Sequence, residues 1–277
     1  MTKVKILENN RIFEGYQLVC SHQSKSTLTE MKFSIYIPDS RKQLPVLYFL
    51  SGLTCTEQNF IQKSGMQKYA SKYKIIVVAP DTSPRGKKIK DHSNNFIGQG
   101  AGFYLNASTF GWKKNYKMYD YIIKELPKLI NSNFNIANLK QGIMGHSMGG
   151  MGALVCAINN RDKFKSLSVL APICDPINSN FSNQALNKYL GSNKKLWKKY
   201  SPLELFKNDT FPGKILIDQG EKDAFINQLF YKEFLSICKK SKQKIKFRFH
   251  KNHGHGYYFI STFIKDHIVH HSKILNR

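Results

Sequence analysis

A serine flanked by glycines, Gly145-His146-Ser147-Met148-Gly149-Gly150, is the stretch of this chain best suited to chemistry. The short apolar run Gly142-Ile143-Met144 leads into it, and the small, apolar run from Met151 to Ala157 follows. G-x-S-x-G thus falls where a strand turns sharply into a helix, the setting of a nucleophile elbow. Such a turn leaves no room for a Cβ at Gly145 or Gly149 and strains the backbone of the serine between them. The expected chemistry is acyl transfer from Ser147. The N–H of Met148, at the positive end of the following helix, is the first expected donor to an oxyanion. Taken alone the pattern is permissive, since glycine- and serine-rich turns also join strands to helices with no chemistry in them.

A serine nucleophile needs a histidine base and an acid to orient it. In one order of the triad these follow the serine as acid and then histidine. The run Lys214–Asp218 leads into Gln219-Gly220-Glu221-Lys222-Asp223, and the run Lys244–Phe249 leads into His250-Lys251-Asn252-His253-Gly254-His255-Gly256. Asp223 is the preferred acid because it sits clear of the strand, whereas Asp218 belongs to the strand end. His255, between two glycines and just before Tyr257-Tyr258-Phe259, is preferred over His253 as the base. A histidine cluster of this spacing also reads as a metal site, but no H-E-x-x-H pattern or other carboxylate–histidine motif accompanies it. The second oxyanion donor is expected in Ser51-Gly52-Leu53-Thr54-Cys55-Thr56, at the backbone N–H of Leu53.

The elements that must position these groups are legible as runs. Arg11–Cys20 and Met31–Ile37 alternate apolar and polar residues and read as a half-buried antiparallel pair after a polar N-terminal tail. Val46–Leu50, Ile75–Ala79, Gly142–Met144, Leu167–Leu170 and Ile215–Ile217 are near-continuous apolar runs, the mark of parallel strands buried on both faces. Helical stretches are expected around 57–72, 116–132, 148–160 and 227–240. The fold class is therefore α/β, a mostly parallel sheet with helices on both faces and ligands at the carboxyl ends of the strands. The stretch from Asp175 to Asn208 reads as an insertion over the sheet, and residues 1–277 as one domain.

Composition narrows the setting. Of 277 residues 41% are hydrophobic, which is enough for a sizeable core. No apolar run is long enough to span a membrane, and the first residues resemble no secretory leader. Cys20, Cys55, Cys156, Cys174 and Cys238 are odd in number and widely spaced, which favours a reducing cytoplasm. The net charge of +25 raises the alternative of a nucleic-acid binder. Its make-up of 37 Lys and 6 Arg beside 22 Asn, with no clustered stripe, reads instead as compositional bias. A basic surface would still draw in a small anionic substrate.

Seven strings together resemble the S-formylglutathione hydrolase family, also called esterase D, nearly end to end. They are Leu50–Phe60, Ala79–Gly86, Gly100–Tyr104, Asn115–Tyr119, Gly145–Gly150, Ile217–Gly220 and Tyr257–Ile260. The resemblance implies an α/β-hydrolase that cleaves S-formylglutathione to glutathione and formate, the second step of glutathione-dependent formaldehyde detoxification. It also implies esterase activity on small acyl esters, no cofactor, and usually a homodimer. Carried over by motif, the nucleophile falls on Ser147, the acid on Asp223, the histidine on His255, and the oxyanion donors on Leu53 and Met148. Cys55 falls close to the active site, where thiol modification inhibits; its bland reading is a small packing residue. Trp112 and Phe103 are candidates for the walls of a cramped acyl pocket, or for ordinary core. The chain departs from the family in placing Gly254 and Gly256 around His255, where relatives often have Asp and Ser. A general short-chain carboxylesterase or acyltransferase on the same fold is the alternative, since a fold does not fix its substrate.

Overall fold

The computed structural model describes residues 3–277; Met1 and Thr2, which open the segment read above for a leader, lie outside the described residues. Nine strands form one sheet: β1 (Lys5–Arg11), β2 (Gly15–Gln23), β3 (Glu30–Pro38), β4 (Leu44–Leu50), β5 (Ile76–Pro80), β6 (Ile136–His146), β7 (Phe164–Leu170), β8 (Ile215–Gly220) and β9 (Ile245–His250). Their order across the sheet is β1-β2-β3-β5-β4-β6-β7-β8-β9. The contacts β1/β2, β2/β3 and β3/β5 are antiparallel, and all others are parallel. Every residue of β4, β5 and β8 is buried. Their unbroken apolar runs follow from that: helices cover both faces, so neither face of these strands meets water.

The N-terminal antiparallel part has three strands rather than the expected pair. β1 lies within the stretch read as a polar tail, and all seven of its residues are exposed. A strand at the sheet edge with no buried face has no reason to alternate, which is why its sequence gives no strand signal. The run expected to begin at Arg11 is instead a hairpin, closed by Ile12 N–H donating to the Gly15 carbonyl at 3.1 Å.

The expected helices occur, two of them divided. Helix Glu57–Lys63 stops at Ser64, and Met66–Tyr73 begins after Gly65, whose φ of 67° is the left-handed conformation glycine tolerates best. Likewise Ile226–Leu229 and Tyr231–Lys240 meet at Phe230. The stretch after Asp175 holds helices Asn180–Leu190, Lys194–Lys198 and Pro202–Leu205. The C-terminal helix, Tyr257–Leu275, is absent from the sequence reading. His267 and His271 are fully buried on its core-facing side, so the apolar periodicity that announces a helix is interrupted by polar residues. No helix among the described residues is long and apolar enough to cross a membrane.

Candidate active site

β6 ends at His146 and the helix Met148–Asn159 begins one residue later, with Ser147 alone forming the turn. Its φ of 56° and ψ of −119° lie outside the regions open to ordinary side chains. Such a residue costs about 1–3 kcal/mol and persists only where its surroundings hold it. Here the Ser147 N–H donates to the Leu170 carbonyl at 3.1 Å, and its carbonyl accepts from Met151 and Ile173 N–H at 3.0 and 3.2 Å. The glycines are required by close approach. A Cβ on Gly145 would stand 2.1 Å from the Gly149 carbonyl oxygen, and one on Gly149 would stand 1.9 Å from that of Leu50.

The loop after β4 runs against this turn. A Cβ on Gly52 would lie 3.3 Å from Cβ of Ser147 and 3.1 Å from Nδ1 of His146, so the backbone leading into Leu53 crosses the elbow at contact distance. Thr54, with φ of 66°, fixes the loop by donating its N–H to the Gly100 carbonyl at 2.9 Å. Met148 opens the helix, fully buried. Tyr104 ties the two parts together. Its hydroxyl donates to the Ser51 carbonyl at 2.9 Å, and its ring leaves no space for a side chain on Gly152 of the elbow helix.

The loops after β8 and β9 are laced to each other. Glu221 N–H donates to the His250 carbonyl at 3.0 Å and Lys222 N–H to that of His253 at 2.8 Å. A Cβ on Gly220 would sit 2.5 Å from the carbonyl oxygens of His253 and Gly254. Within this pairing His255 Nδ1 lies 2.7 Å from Oδ2 of Asp223. The carboxylate also accepts from the Gln219 side-chain amide at 3.0 Å and the Phe225 N–H at 2.8 Å. Burial by itself would raise the Asp223 pKa, but the hydrogen bond and charge of His255, with those two donors, bring it below the usual carboxylate range. An ionised Asp223 puts the proton of His255 on Nδ1 and leaves Nε2 free to act as a base.

The alternatives weighed in the sequence are engaged elsewhere. Asp218 is fully buried and held by Arg248, with Nε to Oδ1 at 2.7 Å and Nη2 to Oδ2 at 2.5 Å, and by His267 Nε2 at 3.2 Å. His253 directs Nδ1 to the Lys251 carbonyl at 2.9 Å, and its ring packs against His250 and Phe263. Around His255 sit two residues the sequence did not single out. His146 approaches with its ring centroid 4.5 Å away, and Phe225 stands edge-on at 4.9 Å. Side chains at Gly254 and Gly256 would meet nothing closer than the Lys222 carbonyl oxygen at 3.7 Å, so space does not demand glycine at either position.

Cys55 is partly buried, and its thiol meets the hydroxyl of Tyr257. Burial pushes the thiol pKa up, and the Tyr257 hydrogen bond with the charges of Lys63 and Arg85 offsets this only in part. The protonated, less nucleophilic form therefore dominates at neutral pH. Trp112 packs in a buried aromatic cluster with Tyr116 and Tyr189, at centroid distances of 4.9 and 5.1 Å. Phe103 is also fully buried.

A family described as "Putative esterase" matches residues 24–270. A Mus musculus protein named S-formylglutathione hydrolase is 46% identical over 99% of both chains, and the Bos taurus protein of that name is 45% identical over the same share. The chain belongs to the S-formylglutathione hydrolase family. A solved structure of an S-formylglutathione hydrolase from Agrobacterium tumefaciens superposes on this family member with a TM-score of 0.96, at 41% identity, covering 98% of this chain and 99% of the other. A ferulic acid esterase at 16% identity and a TM-score of 0.70 shares the fold alone.

Proposed function

We propose that this chain hydrolyses S-formylglutathione to glutathione and formate with Ser147 as nucleophile, His255 as base and Asp223 as the acid that orients it. What supports the chemistry is the 2.7 Å hydrogen bond between His255 and Asp223 beside a strained serine turn. What supports the substrate is near-full-length likeness to proteins of that name.

In this reading Ser147 Oγ attacks the formyl carbon while His255 Nε2 takes its proton. The oxyanion is received by the N–H groups of Leu53 and Met148. Collapse breaks the carbon–sulfur bond, and the proton on His255 accompanies the departing sulfur as glutathione thiol. Water, deprotonated by His255, then cleaves the formyl ester on Ser147, releasing formate and restoring the serine. A thiolate is a better leaving group than an alkoxide, so the thioester asks less of His255 as an acid than an ester does. No step calls on a cofactor or metal.

The same proposal takes residues 1–277 as one domain, assembled as a homodimer in the cytoplasm. The family resemblance supports the dimer, and five free thiols with no disulfide suit a reducing compartment. The test is kcat/KM for S-formylglutathione, S-acetylglutathione and a short-chain aryl acetate. A marked preference for the formyl thioester is the expected result. Preference for the aryl ester would instead make the chain a general carboxylesterase.

A further inference from the structure

The reaction above releases a bulky, anionic thiol, yet the triad and the oxyanion loop account only for the acyl end of the substrate. Beside them lies an open groove of about 500 Å³ lined by Lys63, Tyr257, Tyr258 and Ser261. Its volume falls within the range of small-molecule sites. Tyr257, part of its lining, ties it to the candidate active site. Tyr257 follows His255 by two residues, and its hydroxyl meets the thiol of Cys55, itself two residues beyond Leu53.

Two side chains in this groove are exposed to solvent. Tyr258 is 94% exposed, the largest exposure among the big apolar and aromatic side chains described, and so adds nothing to the core. Lys63, at the end of helix Glu57–Lys63, holds its ammonium 5.7 Å from the centroid of the Tyr257 ring, with no carboxylate partner among the described residues. None of the four lining residues is acidic. A second groove, of about 430 Å³ and lined in part by Phe230, Tyr231, Lys232, Glu233 and Phe249, sets a carboxylate beside its lysine. Glutathione is a tripeptide with two carboxylates and one ammonium, and its net negative charge favours the first groove over the second.

We propose that the groove between Lys63 and Tyr258 receives the peptide part of the thiol leaving group, Lys63 pairing with one of its carboxylates and the Tyr258 ring covering its backbone. This rests on the hydrolysis of S-formylglutathione proposed above. The groove makes Lys63 and Tyr258 determinants of specificity for the leaving group, away from the reacting bond.

The test is the ratio of kcat/KM for S-formylglutathione to that for a short-chain aryl acetate, in wild type, Lys63→Glu, Tyr258→Ala and Lys232→Glu. Inhibition of ester hydrolysis by S-methylglutathione, a thioether that cannot be cleaved, is measured on the same proteins. Lys63→Glu is expected to lower the ratio about tenfold, mainly through KM, and to weaken S-methylglutathione inhibition by a similar factor. The effect should shrink in high salt, and Tyr258→Ala should act in the same direction. Lys232→Glu should leave the ratio in place. An unchanged ratio in Lys63→Glu and Tyr258→Ala, or an equal fall in Lys232→Glu, would overturn the groove assignment. If the wild type does not cleave S-formylglutathione, the functional reading itself fails, and the groove is judged by S-methylglutathione inhibition alone.

Discussion

His146 Nε2 lies 2.8 Å from the carbonyl oxygen of His255. A carbonyl only accepts, so His146 carries its proton on Nε2 and donates it. Burial drives the His146 pKa down to about 3, helped by the neighbouring His255, so the ring stays neutral and the bond persists through the working pH range. The residue beside the serine thereby holds the backbone of the candidate base, while its Nδ1 edge faces Gly52 in the loop after β4.

Replacing His146 by leucine should lower kcat on the order of 10- to 100-fold with little change in KM, the usual cost of a small misplacement of a catalytic group. His146→Gln, whose amide can donate from a similar place, should recover part of the loss. Steady-state kinetics of the two variants checks this. A fall in both alike, tracking lost folded protein by circular dichroism, would reduce His146 to packing.

How much of this was legible in the sequence follows from the kind of signal each residue emits. Ser147, Gly145 and Gly149 announce themselves because a sharp turn excludes side chains at fixed spacing. Asp223 was separable from Asp218 by its position beyond the strand end, and in the structure Asp218 is locked onto Arg248. Nothing in the sequence marks His146, a free position in the G-x-S-x-G pattern whose partner lies 109 residues away. Strand β1 was invisible for the opposite reason: with no buried face, its residues carry no periodicity. The C-terminal helix was hidden by buried histidines that pair with Ser166, Ser168 and Asp218 in place of apolar packing.

The two carboxylates should separate cleanly on mutation. Asp223→Asn should reduce turnover roughly 10⁴-fold while leaving thermal stability nearly intact, because the wrong tautomer of His255 is then favoured. Asp218→Asn should destabilise by about 3 kcal/mol, since Arg248 loses a buried counter-charge, yet leave turnover per folded molecule largely unchanged. Paired denaturation and kinetic measurements read both effects. The reverse assignment would make Asp218 the acid.

Acid should unfold the protein early. Burial lowers the pKa of His146 to about 3 and of His270 to about 4, and that of His271 far below its ordinary value. Each is protonated more readily in the unfolded chain than in the fold, so its contribution is complete above about pH 6.5 and is lost progressively as pH falls toward the folded value. At pH 5 each such histidine forfeits about 2 kcal/mol. Asp218, held low by its partners in spite of burial, adds a further loss only at more acidic pH, below its unfolded value. Tm measured from pH 8 to pH 4 should fall by on the order of 10 °C between pH 6.5 and pH 5. A flat profile there would contradict the neutral, buried state of these rings.

The most direct measurement is formate released from S-formylglutathione by the wild type and by Ser147→Ala at equal folded concentration. The account predicts rapid release by the wild type and a loss of roughly 10⁵-fold or more in the variant, its rate approaching the uncatalysed background. Formate release by Ser147→Ala within about tenfold of wild type would contradict Ser147 as the nucleophile and, with it, the reaction assigned to this site.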